Sequence, residues 1–195
     1  MEQMLLETSQ ATKALDLSEL PEQVSGEMRF AIVLYMSGLK LFNPLGFPRQ
    51  SLGFLLDEHL FKQDQQLLKQ AHGFLYYLMT GLSRLPSWPQ PYLYRGVGAE
   101  SREAYVSGRT CFWPGLCFAT SNASQARLSA GPAGVILRIR VLQEGSHSRD
   151  LRSICRHTDA ILLPNFKTQV LQEAKFDSTI GLEVVEFVEP QQAAL

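Results

Sequence analysis

Three things are scarce in this 195-residue chain: net charge, pairable cysteine and long apolar sequence. The formal charge is −1, so no whole-molecule field draws in nucleic acid or an anionic membrane. The greasiest stretch, FAIVLYMSGLKLF (30–42), is short for a bilayer and is broken by Gly38 and Lys40. The start, MEQMLLETSQ, lacks the basic and then apolar order of a secretory signal. With no signal peptide or transmembrane segment, the expectation is an intracellular or host-delivered protein. Cys111, Cys117 and Cys155 cannot all pair within one chain and read as reduced thiols. His59, His72, His147 and His157 show no ligand spacing, so no metal site is expected.

What is present divides into two textures within a length that suits one domain, 1–195. Residues 1–87 read as a helical lobe. One helix is expected from about Pro21 to Ser37, ending at Gly38. A second helical face runs through Phe61, Leu67, Leu68, Ala71, Phe74, Leu75, Leu78 and Leu82, with Asp57 as candidate cap and Pro86 as terminator. NPLGFPRQ (43–50) is a loop by its prolines and glycine. Residues 92–190 read as a β-rich core after the stiff connector SWPQP (87–91). Its strands are YLYR (92–95), GVILRIRV (134–141), AILL (160–163), KTQVL (167–171) and LEVVEFV (182–188). In GVILRIRV, Val135, Leu137, Ile139 and Val141 alternate with Ile136, Arg138 and Arg140, giving one buried and one partly polar face. The fold class is α+β.

Three stretches carry chemistry. In YLYRGVG, Arg95 ends a strand before Gly96 and Gly98. Glycine lets backbone approach a ligand, and an arginine there either grips phosphate or is a solvated strand end. In FWPGLCFATSNASQA (112–126), an aromatic strand emerges into Thr120, Ser121 and Ser124. These hydroxyls either bond a ligand or a neighbouring group, or form an ST-turn or N-cap into ASQARLSA. In HTDAILLPNF (157–166), a polar triplet precedes an apolar run that stops at Pro164.

In this order the three stretches resemble the motifs of the arginine–serine–glutamate class of mono-ADP-ribosyltransferases, which includes arginine-specific ecto-enzymes and bacterial toxins. "LSRLPSWPQPYLYRGV" is similar to the approach to the arginine motif. "YVSGRTCFWPGLCFATSNASQA" resembles the Phe-x-Ser-Thr motif, "GVILRIRV" the strand after it, and "DAILLPNFKTQV" the Glu-x-Glu-x-Leu-x-Pro motif. "FAIVLYMSG" followed by "NPLG" looks like the helical lobe of the family.

The resemblance implies a split β-sandwich with an N-terminal helical lobe and a cleft for NAD, used as substrate without a metal. It also implies a glycosyl-transfer reaction that moves ADP-ribose from NAD to an acceptor protein. Arg95 falls on the NAD-gripping arginine, beside Gly96, and its guanidinium fork suits a pyrophosphate. Thr120 falls on the motif serine and Ser121 on the threonine after it. Phe118 and Trp113 are candidates for stacking on nicotinamide, although strand aromatics usually pack in a core.

The chain departs from the family at the third motif, where Thr158 and Ala160 stand at the two glutamate positions. An alanine methyl cannot stabilise the cation that develops on the ribose. Asp159 lies between them and, by strand alternation, is expected to face away from the cleft if Ala160 faces it. A bulge would be needed to re-aim it. Glu183 and Glu186 read as solvated or paired surface charges. The implied function is therefore an NAD-dependent mono-ADP-ribosyltransferase using Arg95, Thr120 and Asp159, or a fold-retaining binding or regulatory module without turnover.

Overall fold

A computed structural model describes residues 21–36, 52–154 and 159–191. Thr158, His157, Cys155 and the 43–50 loop lie outside the described residues. The chain divides into two compact units, Met1–Leu85 with Ser153–Arg156 and Pro86–Arg152 with His157–Leu195.

The first unit is helical. α1 (Gly26–Met36) and α4 (His72–Ser83) pack closely because Gly81 has no side chain. A Cβ there would lie 3.0 Å from both Ile32 Cδ1 and Met28 Cβ. Ile32, Val33, Leu78 and Leu82 are fully buried in this unit.

The single helical face expected around Phe61–Leu82 is instead three helices, α2 (Leu52–Lys62), α3 (Gln65–Gln70) and α4. The break falls at Gln63, which takes a left-handed φ of 54° that a helix cannot continue. Asp64 then caps α3, accepting a hydrogen bond from Gln66 N at 3.1 Å. Asp57, expected as the cap, lies inside α2, and Phe61 is exposed rather than on a buried face. Among the described residues no helix is long and apolar enough to cross a membrane.

The second unit is built on two sheets. The larger, mixed sheet has the order β1-β4-β8-β7-β2: β1 (Tyr92–Val97), β2 (Thr110–Trp113), β4 (Val135–Arg140), β7 (Phe166–Asp177) and β8 (Leu182–Val188). Among the described strands only the β4–β8 pair is parallel. The smaller, antiparallel sheet has the order β3-β6-β5: β3 (Cys117–Ala119), β5 (Ser148–Asp150) and β6 (Ala160–Leu162). The chain passes from the larger sheet to the smaller at Pro114–Leu116 and back at Leu163–Asn165. Asn165 makes the return turn with φ 61°, a conformation asparagine tolerates better than most residues.

Alternation decides what fills the space between the sheets. Leu93, Val135, Leu137, Ile139, Val185, Phe187, Phe166 and Val170 face Ala119, Ala160 and Leu162 in one core with Trp88. Trp113 stacks on Phe166 with ring centroids 5.7 Å apart, so it is a core residue. On the other face of the larger sheet, Ile136, Leu182 and Val184 pack against Ala126 of α5 (Ala123–Ala130). Beyond that patch the same face carries Arg138, which pairs with Glu186 on the neighbouring strand. Glu183 pairs with Arg102 at 2.5 Å, so both glutamates are the paired surface charges expected. Cys111 and Cys117 are both half-buried and neither is in a disulfide among the described residues.

Candidate functional site

The arginine and hydroxyl motifs meet because the two sheets touch at one edge. Tyr94 N donates to Thr120 O at 2.7 Å and Thr120 N to Tyr94 O at 2.9 Å, a bridge between the edge strand of the larger sheet and the end of β3. Two stretches 25 or so residues apart thereby become neighbours. Arg95, next to Tyr94, sends Nη1 to Phe118 O at 3.2 Å. Arg95, Gly96, Phe118, Thr120, Gln125 and Ser129 line one open cleft of about 260 Å³. Phe118, with 36% of its surface exposed, belongs to this cleft and not to the core.

Gly96 is required by protein packing. A Cβ on it would lie 2.0 Å from Ala126 O and 2.5 Å from Ala130 N, so the backbone approach that glycine permits is to helix α5. α5 itself starts at Asn122, whose side chain accepts from Ser124 N at 2.9 Å and Gln125 N at 3.4 Å. The cap is thus an asparagine, while Thr120 Oγ1 accepts from Asn122 N at 3.1 Å, the ST-turn expected there, and the Thr120 proton and Ser121 are left for another partner.

That partner is Asp159, which does not face away as alternation from Ala160 suggested. Its Oδ2 accepts from Thr120 Oγ1 at 2.8 Å, Ser121 N at 2.6 Å and Ser121 Oγ at 2.8 Å. No bulge is involved. Ala119 pairs with Ala160, and both methyls point into the core, so the next pair along, Thr120 and Asp159, shares the opposite face. Alternation held, but the cleft hydroxyl lies on the aspartate side of the strand. Ala160 is fully buried.

Partial burial alone would push the Asp159 carboxyl up. The Ser121 amide, the Ser121 and Thr120 hydroxyls and the nearby Arg152 charge outweigh it and hold the group below the usual carboxylate range. Arg152 is fixed by Asp150, through Nε at 3.0 Å and Nη2 at 2.6 Å, and lies over the Trp88 ring at 4.8 Å. Thr120 Oγ1 also lies 3.0 Å from Gln125 Oε1, but its single proton is drawn to the ionised Asp159, the stronger acceptor.

Tyr105 had no signal in the sequence. It packs against the inter-sheet core, edge-on to Phe187 at 5.2 Å. Burial raises its phenol, and the charge of Arg95 partly counters this. Among the described residues no group of three or more His, Cys, Asp or Glu is placed to hold a metal ion.

No family model matches the chain, and no curated protein matches it. Solved structures do. Plx2a, an ADP-ribosyltransferase toxin from Paenibacillus larvae, superposes with a TM-score of 0.65 at 12% identity, over 95% of this chain and 97% of that one. Vis toxin, an ADP-ribosyltransferase from Vibrio splendidus, gives 0.60 at 9% identity, over 97% and 86%. Exoenzyme S from Pseudomonas aeruginosa, bound to carba-NAD and in complex with human 14-3-3 protein beta, gives 0.58 at 16% identity, over 94% and 88%. At these identities the likeness is one of fold. Helices, a mixed sheet and a second packed sheet give this chain the α+β ADP-ribosyltransferase fold.

Proposed function

We propose that the cleft at Arg95 binds NAD or ADP-ribose, and that the protein is a binding or regulatory module of the ADP-ribosyltransferase fold without efficient transfer to arginine. The observation that carries this reading is Ala160, a buried methyl where the family resemblance calls for a glutamate. Loss of a group aimed at the positive charge developing on the ribose removes the main electrostatic contribution to bond cleavage. Arg95 and Thr120 remain together on the cleft wall, a guanidinium and a hydroxyl suited to a diphosphate and its sugar. The carba-NAD bound by exoenzyme S supports this choice of ligand.

Titration calorimetry with NAD and with ADP-ribose tests the site. Binding is expected, with a loss of at least about tenfold in Arg95→Ala; unchanged affinity in that variant discards the site. With labelled NAD, little labelling of any protein is expected. Strong labelling that survives Asp159→Ala, Glu173→Ala and Glu183→Ala rules out this placement of the third motif.

A second reading is transfer through Asp159 to a protein side chain. Its support is the aim of Asp159 at Thr120 and Ser121 and the ionised state those bonds favour. Labelling that Asp159→Ala abolishes, with NAD affinity kept, would establish it over the first.

A further inference from the structure

A second cleft opens on the face of the larger sheet that is turned away from the inter-sheet core. It encloses about 340 Å³ above Val184 and is walled by Arg138, Glu186, Gln172, Lys175, Phe176 and Asp177. Its shape comes from β7, whose pairing with β8 slips twice, between Val170 and Gln172 and between Gln172 and Lys175. Such irregularities bend a strand and re-aim its side chains. Gln172 is left opposite Glu186 and Lys175 opposite Val184. The Phe176 ring stands 64% exposed at the rim.

The charges of this wall decide what it can take. Two cations, Arg138 and Lys175, stand with two carboxylates, Glu186 and Asp177. Arg138 is paired with Glu186, and Asp177 Oδ1 accepts the Thr179 and Ile180 amides at 2.8 and 3.2 Å. An anion drawn to Lys175 meets two carboxylates, and a cation drawn to those carboxylates meets Arg138 and Lys175. A neutral polyhydroxylated ring meets neither penalty, because each hydroxyl both donates and accepts. Its apolar C–H face has the exposed Phe176 ring to lie on.

We propose that this cleft is a subsite for a neutral pyranose ring, separate from the Arg95 cleft and independent of its reading. Saturation-transfer NMR followed by calorimetry with glucose, galactose, mannose, lactose and maltose is the test. At least one of these is expected to bind with a Kd on the order of millimolar. Phe176→Ala, at an exposed position that the fold does not need, is expected to weaken it about tenfold. Gln172→Ala weakens it several-fold, and Arg95→Ala leaves it unchanged. The proposal falls if none of the five sugars binds at tens of millimolar, or if binding is undiminished in the Phe176→Ala, Gln172→Ala double variant. It also falls if inorganic phosphate displaces the sugar, since that marks an anion site.

Discussion

Glu189 and Asp159 each accept three hydrogen bonds, yet only Glu189 is sealed. Glu189, 5% exposed, uses both oxygens: Oε2 takes Leu142 N at 3.0 Å and Ser146 Oγ at 2.7 Å, and Oε1 takes His147 N at 2.9 Å. It fastens the 142–147 loop to the end of β8. Asp159 receives all three bonds on Oδ2, beside an open cleft, and its Oδ1 makes no hydrogen bond among the described residues. A carboxylate saturated on both sides is structural. Asp159, bonded through a single oxygen, is not itself in the wall of the Arg95 cleft and reaches it through the Thr120 hydroxyl.

The largest test of this contrast is Glu189→Ala. It strands two backbone amides and a buried hydroxyl, and urea unfolding is expected to show a loss of roughly 3 kcal/mol. Gly96→Val disturbs the cleft without touching either carboxylate. Its Cβ would press on the α5 backbone, with an expected loss of roughly 2 kcal/mol by thermal unfolding and weaker NAD binding.

Asp159→Asn should be milder, about 1 kcal/mol at neutral pH, because some acceptor capacity remains. Its signature is pH dependence. Because the folded state holds the Asp159 carboxyl low, the unfolded chain binds its proton first on acidification. The stabilisation is complete above the ordinary carboxylate range and is lost as pH falls through the lower folded value. The asparagine variant should lack that component of the acid loss in a chemical-denaturation series. Ser121→Ala removes only one hydroxyl donor, since the Ser121 amide stays on Asp159, and about 0.5 kcal/mol is expected. A cost for Ser121→Ala equal to that of Asp159→Asn would erase the distinction between a clasp and a poised group.

Much of the β unit was readable from residue type. LEVVEFV is β8 without adjustment, and the alternating GVILRIRV sorts Val135, Leu137, Ile139 and Val141 to the inter-sheet core and Ile136 with the two arginines to the other face. The period-2 signal survives because each side of that strand meets a different environment. Short strands such as β5, Ser148–Asp150, left no trace, since three residues show no period. In the helical unit apolar spacing does not mark where one helix ends and the next begins. Apolar spacing continued across Gln63–Asp64, but the backbone turned left-handed there and began a new helix.

The sequence by itself determined the α+β class, the order of the arginine, hydroxyl and Leu-x-Pro stretches, and the alanine at position 160. Those are statements about residue identity and local period, which a chain carries without folding. The tertiary structure alone decided that Tyr94 and Thr120 join two sheets, that Gly96 serves a helix, and that Asp159 turns toward Thr120. Which face of a strand is the useful one depends on what is packed across from it, and that is set by pairing between segments far apart in the chain.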